Sequence, residues 1–389
     1  QFNIMIGFSV AYFANYLVLQ LSQSGDPWVG ALGIDRHAWR WMLGLEVLPA
    51  GFWLIALLFV PETPRWLALN GRVEDARTVL ARIRPRERAA ATLREILASG
   101  GNAGKSLLAR FREVLSPALR LPVVIGITVG VFQQITGINA VYFYAPTIFE
   151  QSGVGTNAAF AQATWIGVTN IVFTIVAMLL IDRLGRKPLL LIGLTGIIAS
   201  MSLAGYGFQQ ATYRLEQTAV AELGQDIDAA ALQTLIGVEY DNDLAFKGAL
   251  QQALGQQAAR NHQAQLVQAA IRIDPTVVLV GILGFVAAFA MSLGPVMWVL
   301  FSEIFPNRVR GVAIGATVVF NSAASFAVQF LFPWELANLG NAMTFYIFAG
   351  LGVIGIVLIG WLLPETKGKS LEELEAVLAQ RAPLTGAPG

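Results

Sequence analysis

Apolar residues run along this chain in long blocks, separated by short polar and basic turns. Eight blocks are long enough to cross about 30 Å of hydrocarbon. They cover about residues 1–21, 39–60, 119–149, 156–181, 188–208, 276–302, 312–334 and 341–363. Each predicts a membrane-spanning helix, because a backbone in lipid must satisfy its own hydrogen bonds. Two stretches break the pattern. In 61–118, "RVEDARTVLARI" sets Val73, Ala76, Val79, Leu80 and Ile83 at helical spacing. Pro85 interrupts that helix, "RERAAATLREILA" resumes it, and "SGGNAGKS" reads as a flexible link. Segment 209–275 is rich in Ala and Gln and low in charge. It predicts one to three amphipathic helices outside the membrane, and its plain reading is a surface insertion.

Composition agrees with a polytopic membrane protein. Of the 389 residues, 55% are hydrophobic and 13% charged, where ordinary domains are nearer a quarter charged. A net charge of +1 gives no reason to expect nucleic acid. Without cysteine there is no disulfide, thiol nucleophile or thiolate metal site. His37 and His262 lie far apart, and no HExxH or GxSxG occurs. "GGNAGKS" misses the phosphate-loop pattern because Ser99 stands where a glycine is needed. No catalytic residue, metal or cofactor is expected, and the chain does not read as an enzyme. It opens on "QFNIMIGFSVAYFANYLVLQL", apolar at once and without a signal-peptide charge region. The expectation is a helix cut near its start, in the C-terminal part of a longer protein.

Charge sets the orientation. Segments 61–120, 182–188, 303–311 and 364–389 share one side and carry twenty of the 26 Lys and Arg. Segments 22–40, 150–155, 209–275 and 335–341 carry six. The short loops agree, since "DRLGRK" and "NRVRG" are basic and 335–341 has no Lys or Arg. The basic side is therefore expected to be cytoplasmic, with both chain ends there.

The third span carries "GVFQQITGINAVYFYAP", with Gln133, Gln134 and Asn139 in an apolar setting. Gln133 lies about fourteen residues past Leu119, roughly 21 Å into the span. Interhelical amide bonds average only about 0.6 kcal/mol, which makes helix adhesion a weak reason for a cluster. Gly137 can interrupt the helix, and broken helices near the midplane build transporter sites. Amides offer donors and acceptors without charge, which suits a neutral polyhydroxyl ligand. Tyr142, Phe143 and Tyr144 follow and could stack on its C–H face. Asn170, Trp298 after Gly294-Pro295, and Asn321 add further polar and aromatic positions. Singly each reads as packing; together they predict a polar cavity with aromatic walls. Glu46 is the one immersed acid. It is a candidate proton carrier, although Pro49 would also free a backbone acceptor for a protonated Glu46.

Five ordered motifs resemble the sugar porter family of the major facilitator superfamily, and within it the bacterial xylose–proton and hexose–proton symporters. They are "PETPRWL" at 61–67, "QQITGIN" at 133–139, "DRLGRKPLL" at 182–190, "GPVMWVLFSEIFPNRVRG" at 294–311 and "PETKGKSLEEL" at 364–374. The resemblance implies an all-α membrane protein with a major facilitator superfamily helical bundle. The eight spans become family helices five to twelve, and helices one to four are not in the chain. Residues 1–60 become the last two helices of the N-terminal bundle, and 61–118 a cytoplasmic helical linker domain. Residues 119–363 become the C-terminal six-helix bundle, with an extracytoplasmic insertion at about 209–275. Residues 364–389 become a cytoplasmic tail, with a helix at 370–380.

The resemblance also implies monosaccharide transport by alternating access with proton symport in the inner membrane of a bacterium, no cofactor, and a monomer when complete. Sugar, protons and the lipid bilayer are the implied partners. Gln133, Gln134, Asn139, Tyr144, Asn170, Trp298 and Asn321 would bind substrate. Gly137, Gly294 and Pro295 would be hinges. Glu62, Arg65, Asp182, Arg183, Gly185, Arg186, Lys187, Glu303, Arg310 and Glu365 would form a gating charge network. Basic residues mark the inner face in any case, but opposite charges recurring at one membrane edge favour a lock. Departures from the family bear on sugar identity. Around the fifth-helix Gln position stand Phe8, Ser9 and Tyr12; Ser322 follows Asn321 where the family often has Trp; and Phe143 replaces one of two tyrosines. The family's proton-coupling residues belong to helices one and four, so the residues here leave an uncoupled facilitator or a non-transporting sugar sensor as alternatives. This chain alone is not expected to transport.

Overall fold

The computed structural model describes residues 2–83, 85–99, 107–222, 227–306, 309–369 and 373–374. The link at 99–106 and the tail helix expected over 370–380 lie almost wholly outside these residues. Among the described residues, eight helices are long and apolar enough to span a membrane, at the predicted places. The first is α1 (Phe2–Ser22), followed by the short α2 (Pro27–Ala31). The second span consists of α3 (Ile34–Gly44) and α4 (Val47–Leu57). Pro49 has no N–H for the Leu45 carbonyl, and the chain turns at Leu45–Glu46. Glu46 sits at this turn, with its side chain exposed.

After the second span come α5 (Pro64–Leu69), α6 (Val73–Ile83), α7 (Arg86–Ser99) and α8 (Leu107–Val114). Leu67, Ala76, Val79, Leu80, Ala89 and Leu93 form a small core of their own. On the predicted α6 face Ala76, Val79 and Leu80 are buried and Val73 half-buried, while Ile83 is 67% exposed.

The remaining six spans share one continuous core. They are α9 (Arg120–Ile135) with α10 (Ile138–Glu150), α11 (Thr156–Leu184), α12 (Arg186–Gln209), α17 (Pro275–Met291) with α18 (Leu293–Ile304), α19 (Arg310–Asn338) and α20 (Asn341–Leu362). α12 packs closely on α17 and α20. A Cβ at Gly281 would lie 2.8 Å from the Ala204 backbone nitrogen, so that glycine lets two backbones meet.

Two spans of this bundle are broken. Between α9 and α10, Gly137 takes φ +95°, and a Cβ there would lie 2.9 Å from the Phe348 ring. Only glycine meets both demands. Between α17 and α18 the non-helical residue is Ser292 (φ −128°, ψ −94°). The helix break therefore falls two residues upstream of Gly294-Pro295, where a hinge is expected. Pro295 cannot donate to the Met291 carbonyl, so the ladder fails before the proline, which then fits the first turn of α18.

The 209–275 insertion departs from the helical expectation. It contains α13 (Gln217–Glu222), α14 (Asp243–Leu254), α15 (Gln256–Asn261) and α16 (Gln263–Ala270). It also contains β1 (Thr212–Arg214), β2 (Glu239–Tyr240) and β3 (Ile271–Arg272) in an antiparallel sheet of order β2-β1-β3. Strands of two or three residues are too short to leave a readable alternation. The insertion has its own core, built around Tyr213, Leu232, Phe246 and Leu266.

Candidate functional site

The α9–α10 break and α19 bring the predicted amides together. Gln133 and Gln134 are buried in the last turn of α9, and Asn139 opens α10 two residues past Gly137. Asn321 is buried on the facing side of α19. Asn321 Nδ2 donates to the Gly130 carbonyl (2.7 Å) and to Gln133 Oε1 (2.8 Å). Gln134 Nε2 donates to Gln133 Oε1 (3.1 Å) and Asn321 Oδ1 (3.3 Å). Asn139 Nδ2 donates to Gln134 Oε1 (2.8 Å) and Ser325 Oγ (2.7 Å). Gln329 Nε2 also donates to Ser325 Oγ, at 2.9 Å. Gln133 Nε2 reaches the Leu293 carbonyl beside the second break, at 3.4 Å.

This uncharged network borders a cavity of about 490 Å³ lined by Gln134, Asn139, Asn321, Ser322, Ser325, Phe326, Gln329 and Phe330. Among the described residues, Asn139 Oδ1 and Gln329 Oε1 accept no hydrogen bond. The cavity thus offers open acceptors beside the stacked Phe326 and Phe330 rings, whose centroids are 5.7 Å apart. Such a surface can take hydroxyl donors on its polar side and C–H groups on its aromatic side. Ser325 and Gln329 were not foreseen. Their signal was the spacing Asn321, Ser325, Gln329, which stacks three polar side chains on one helical face.

Other predicted contacts stand apart from this cavity. Asn170 is buried in α11, and its Nδ2 donates to the Tyr142 hydroxyl (2.6 Å). The Tyr142 carbonyl accepts from the Tyr12 hydroxyl (2.5 Å), and Phe8 packs on the Tyr142 ring. This polar contact joins α1, α10 and α11. Tyr144 packs on Phe332 with ring centroids 5.2 Å apart, and Phe143 is 58% exposed. Trp298 lines a separate, mostly apolar cavity of about 710 Å³ with Phe2, Met178 and Pro295. The aromatic wall of the amide cavity therefore comes from α19, where sequence had placed it on α10 and α18.

The charge network is partly assembled. Arg186, at the start of α12, pairs with Glu303 (2.7 Å) and Asp182 (3.2 Å). Glu303 also accepts from the Thr366 hydroxyl (2.7 Å). Glu365 acts as a helix cap, its carboxylate accepting the backbone N–H groups of Arg186 and Lys187, both at 3.0 Å. A carboxylate at a helix N-terminus is favoured by the free amides and the helix dipole. It also accepts from the Thr366 and Lys367 amides. Gly185 turns with φ +94°, and a Cβ there would lie 2.8 Å from that carboxylate. The Lys187 ammonium donates to the Gly360 carbonyl, and the Arg183 carbonyl accepts from Lys367. Arg310 donates to the Phe305 carbonyl and makes no ion pair among the described residues. Glu62 and Arg65 are exposed and likewise unpaired among them.

Broken spans around a buried, uncharged polar cluster in a helical bundle are the architecture of secondary transporters. The chain belongs to the family described as sugar (and other) transporter, whose sequence profile matches residues 1–224 and 256–378. It is thus a multi-pass protein of the sugar porters of the major facilitator superfamily, a family of transporters rather than enzymes. The D-xylose-proton symporter of Escherichia coli (strain K12) is 33% identical over 97% of this chain and 63% of that protein. The arabinose-proton symporter of Bacillus subtilis (strain 168) is 32% identical over 96% of this chain and 66% of that protein. A structure of the proton:xylose symporter XylE bound to 6-bromo-6-deoxy-D-glucose superposes with TM-score 0.62 at 32% identity, covering 97% of this chain and 66% of that one. The chain spans about two thirds of the length of the curated relatives it matches.

Proposed function

We propose that this chain is part of a secondary transporter that moves a monosaccharide, a pentose or hexose, by alternating access with proton symport. The observation that carries this reading is the amide network of Gln133, Gln134, Asn139 and Asn321 around a cavity with open acceptors and aromatic faces. The similarity to xylose–proton and arabinose–proton symporters supports the substrate class and the coupling. Ser325 and Gln329 extend the substrate surface along α19. Asn170, Tyr144 and Trp298 join it when the bundles rock together. Gly137 and Ser292 are the points about which α10 and α18 swing. The Arg186–Glu303 pair and the Glu365 cap hold one face closed, with Glu62 and Arg65 entering that network in another state. The membrane is the bacterial inner membrane, with both chain ends in the cytoplasm. Residues 1–60 belong to one bundle, 119–363 form the other, and 61–118 link them on the cytoplasmic side.

The test is sugar counterflow in proteoliposomes, with xylose, arabinose, glucose and galactose. The chain is assayed alone and joined behind the first four helices of a symporter relative. Counterflow only in the joined protein, with uptake driven by an imposed pH gradient, is the expected result. Counterflow without pH dependence would replace symport by facilitated diffusion. A folded joined protein that binds a sugar without counterflow would replace the carrier by a sensor.

A further inference from the structure

The insertion is anchored to the bundle by a buried ion pair. Asp243 and Lys247 sit one turn apart on α14, 2.7 Å from each other and each under 10% exposed. The Lys247 ammonium also donates to the Leu336 carbonyl in the last turn of α19 (3.2 Å). The Asp243 carboxylate accepts the backbone N–H of Asn341, the first residue of α20 (3.3 Å). The cation thus meets the negative end of one helix and the anion the positive end of the next. Each charge is paired and hydrogen-bonded, the condition under which buried charge is tolerated. Between those helix ends Gly340 takes φ +82°, and a Cβ there would lie 2.6 Å from Asp243.

A continuous set of contacts leads from this pair to α10. Phe246, beside Lys247 on α14, stacks on Tyr213 of β1 at 5.6 Å. Burial pushes the Tyr213 hydroxyl well above the usual phenol range, and the Asp243 charge adds to the shift. Tyr213 pairs with Ile271 across the β1–β3 ladder. Ile271 lies against Gly153, where a Cβ would be 2.8 Å from its side chain, in the loop that follows α10. The insertion therefore bridges α10, which carries Asn139, and α19, which carries Asn321, Ser325 and Gln329. The family profile leaves residues 225–255 unmatched, and these include all of α14.

We propose that Asp243 and Lys247 are a positioning pair, holding α14 on the α19–α20 turn and so fixing the spacing between α10 and α19 that shapes the amide cavity. The spacing claim stands on geometry alone, and only its effect on sugar affinity rests on the proposed function. The sequence has no cysteine, so spin labels can be placed at Thr147 and Asn338, both exposed, in the full chain in lipid nanodiscs. The expected result is a narrow distance distribution in the parent. Lys247→Met and the near-isosteric Asp243→Asn should broaden it, and Lys247→Arg should restore it. Sugar affinity should fall three- to tenfold in the broadened variants. An unchanged distribution in the folded Asp243→Asn chain would overturn the proposal, whether or not Lys247→Met folds. A distribution that broadens in a chain binding none of the four sugars would uphold the brace and remove the sugar reading.

Discussion

The spans Phe2–Ser22 and Pro117–Glu150 have nearly the same hydropathy, yet over an 18-residue apolar window 11% of the first and 67% of the second is buried. The contrast is stronger for Ile34–Leu57, where none of the apolar window is buried. Val47, Leu48, Phe52 and Trp53 are each more than 60% exposed there. Hydropathy measures escape from water, and lipid and protein satisfy it equally. Contact between spans depends on small residues and shared polar groups instead. Against the six-span bundle, α1 and the residue after it show such features along the strip that meets α10 and α11. A Cβ at Gly167 of α11 would lie 2.8 Å from the Ser9 backbone, Tyr12 reaches the Tyr142 carbonyl, and Gln23 accepts from Asn157. The six-span bundle has them throughout, and its amide cluster and charge cluster lie where spans cross.

This contrast can be broken most forcefully with one substitution made twice. Gly137→Ala puts a side chain into a left-handed turn against Phe348 and should destabilise the bundle by roughly 2–5 kcal/mol. Gly51→Ala, with nothing within 4 Å of the new Cβ, should be neutral or stabilising by about 0.5–1 kcal/mol. Thermal unfolding in detergent compares the two. Equal effects would mean that the second span is packed as tightly as the bundle.

The charged residues allow the same comparison. Arg186→Leu strips Glu303 and Asp182 of their partner and should cost about 2–3 kcal/mol. Arg65→Leu, exposed and unpaired among the described residues, should stay within about 0.5 kcal/mol. The unfolding midpoints of the two variants check this pair. An effect between these two is expected at the strip that holds α1. Gly167→Val should cost about 1–3 kcal/mol and loosen α1 first. A fluorescent label on α1 would report that loosening before global unfolding, and simultaneous loss of both signals would contradict it.

What could be read from the sequence follows the same physics. Eight spans were legible because each must be apolar for about twenty residues. The break at Gly137 was legible because glycine flanked by polar residues in lipid has few other uses. Gln133, Gln134, Asn139 and Asn321 stood out as amides in apolar surroundings, and they do converge. Ser325 and Gln329 were passed over because a small hydroxyl and a late amide look ordinary singly; only their four-residue spacing marks them. The second break fell at Ser292 because proline acts on the carbonyl four residues before it. Asn170 and Trp298 depend on which helices approach, and no local pattern encodes that. The Asp243–Lys247 pair has the spacing of any exposed helical ion pair. Its burial is a property of the α19–α20 turn that it meets.

The most direct test of the central claim is a calorimetric titration of the chain in lipid nanodiscs with xylose, arabinose, glucose and galactose, repeated on Gln134→Ala. If the amides hold sugar hydroxyls, at least one sugar saturates the parent. The variant should then bind it about two- to tenfold more weakly, the equivalent of roughly 0.5–1.5 kcal/mol, while its unfolding midpoint barely moves. If the affinity is unchanged and the midpoint drops, the amides hold helices together and the sugar site lies elsewhere.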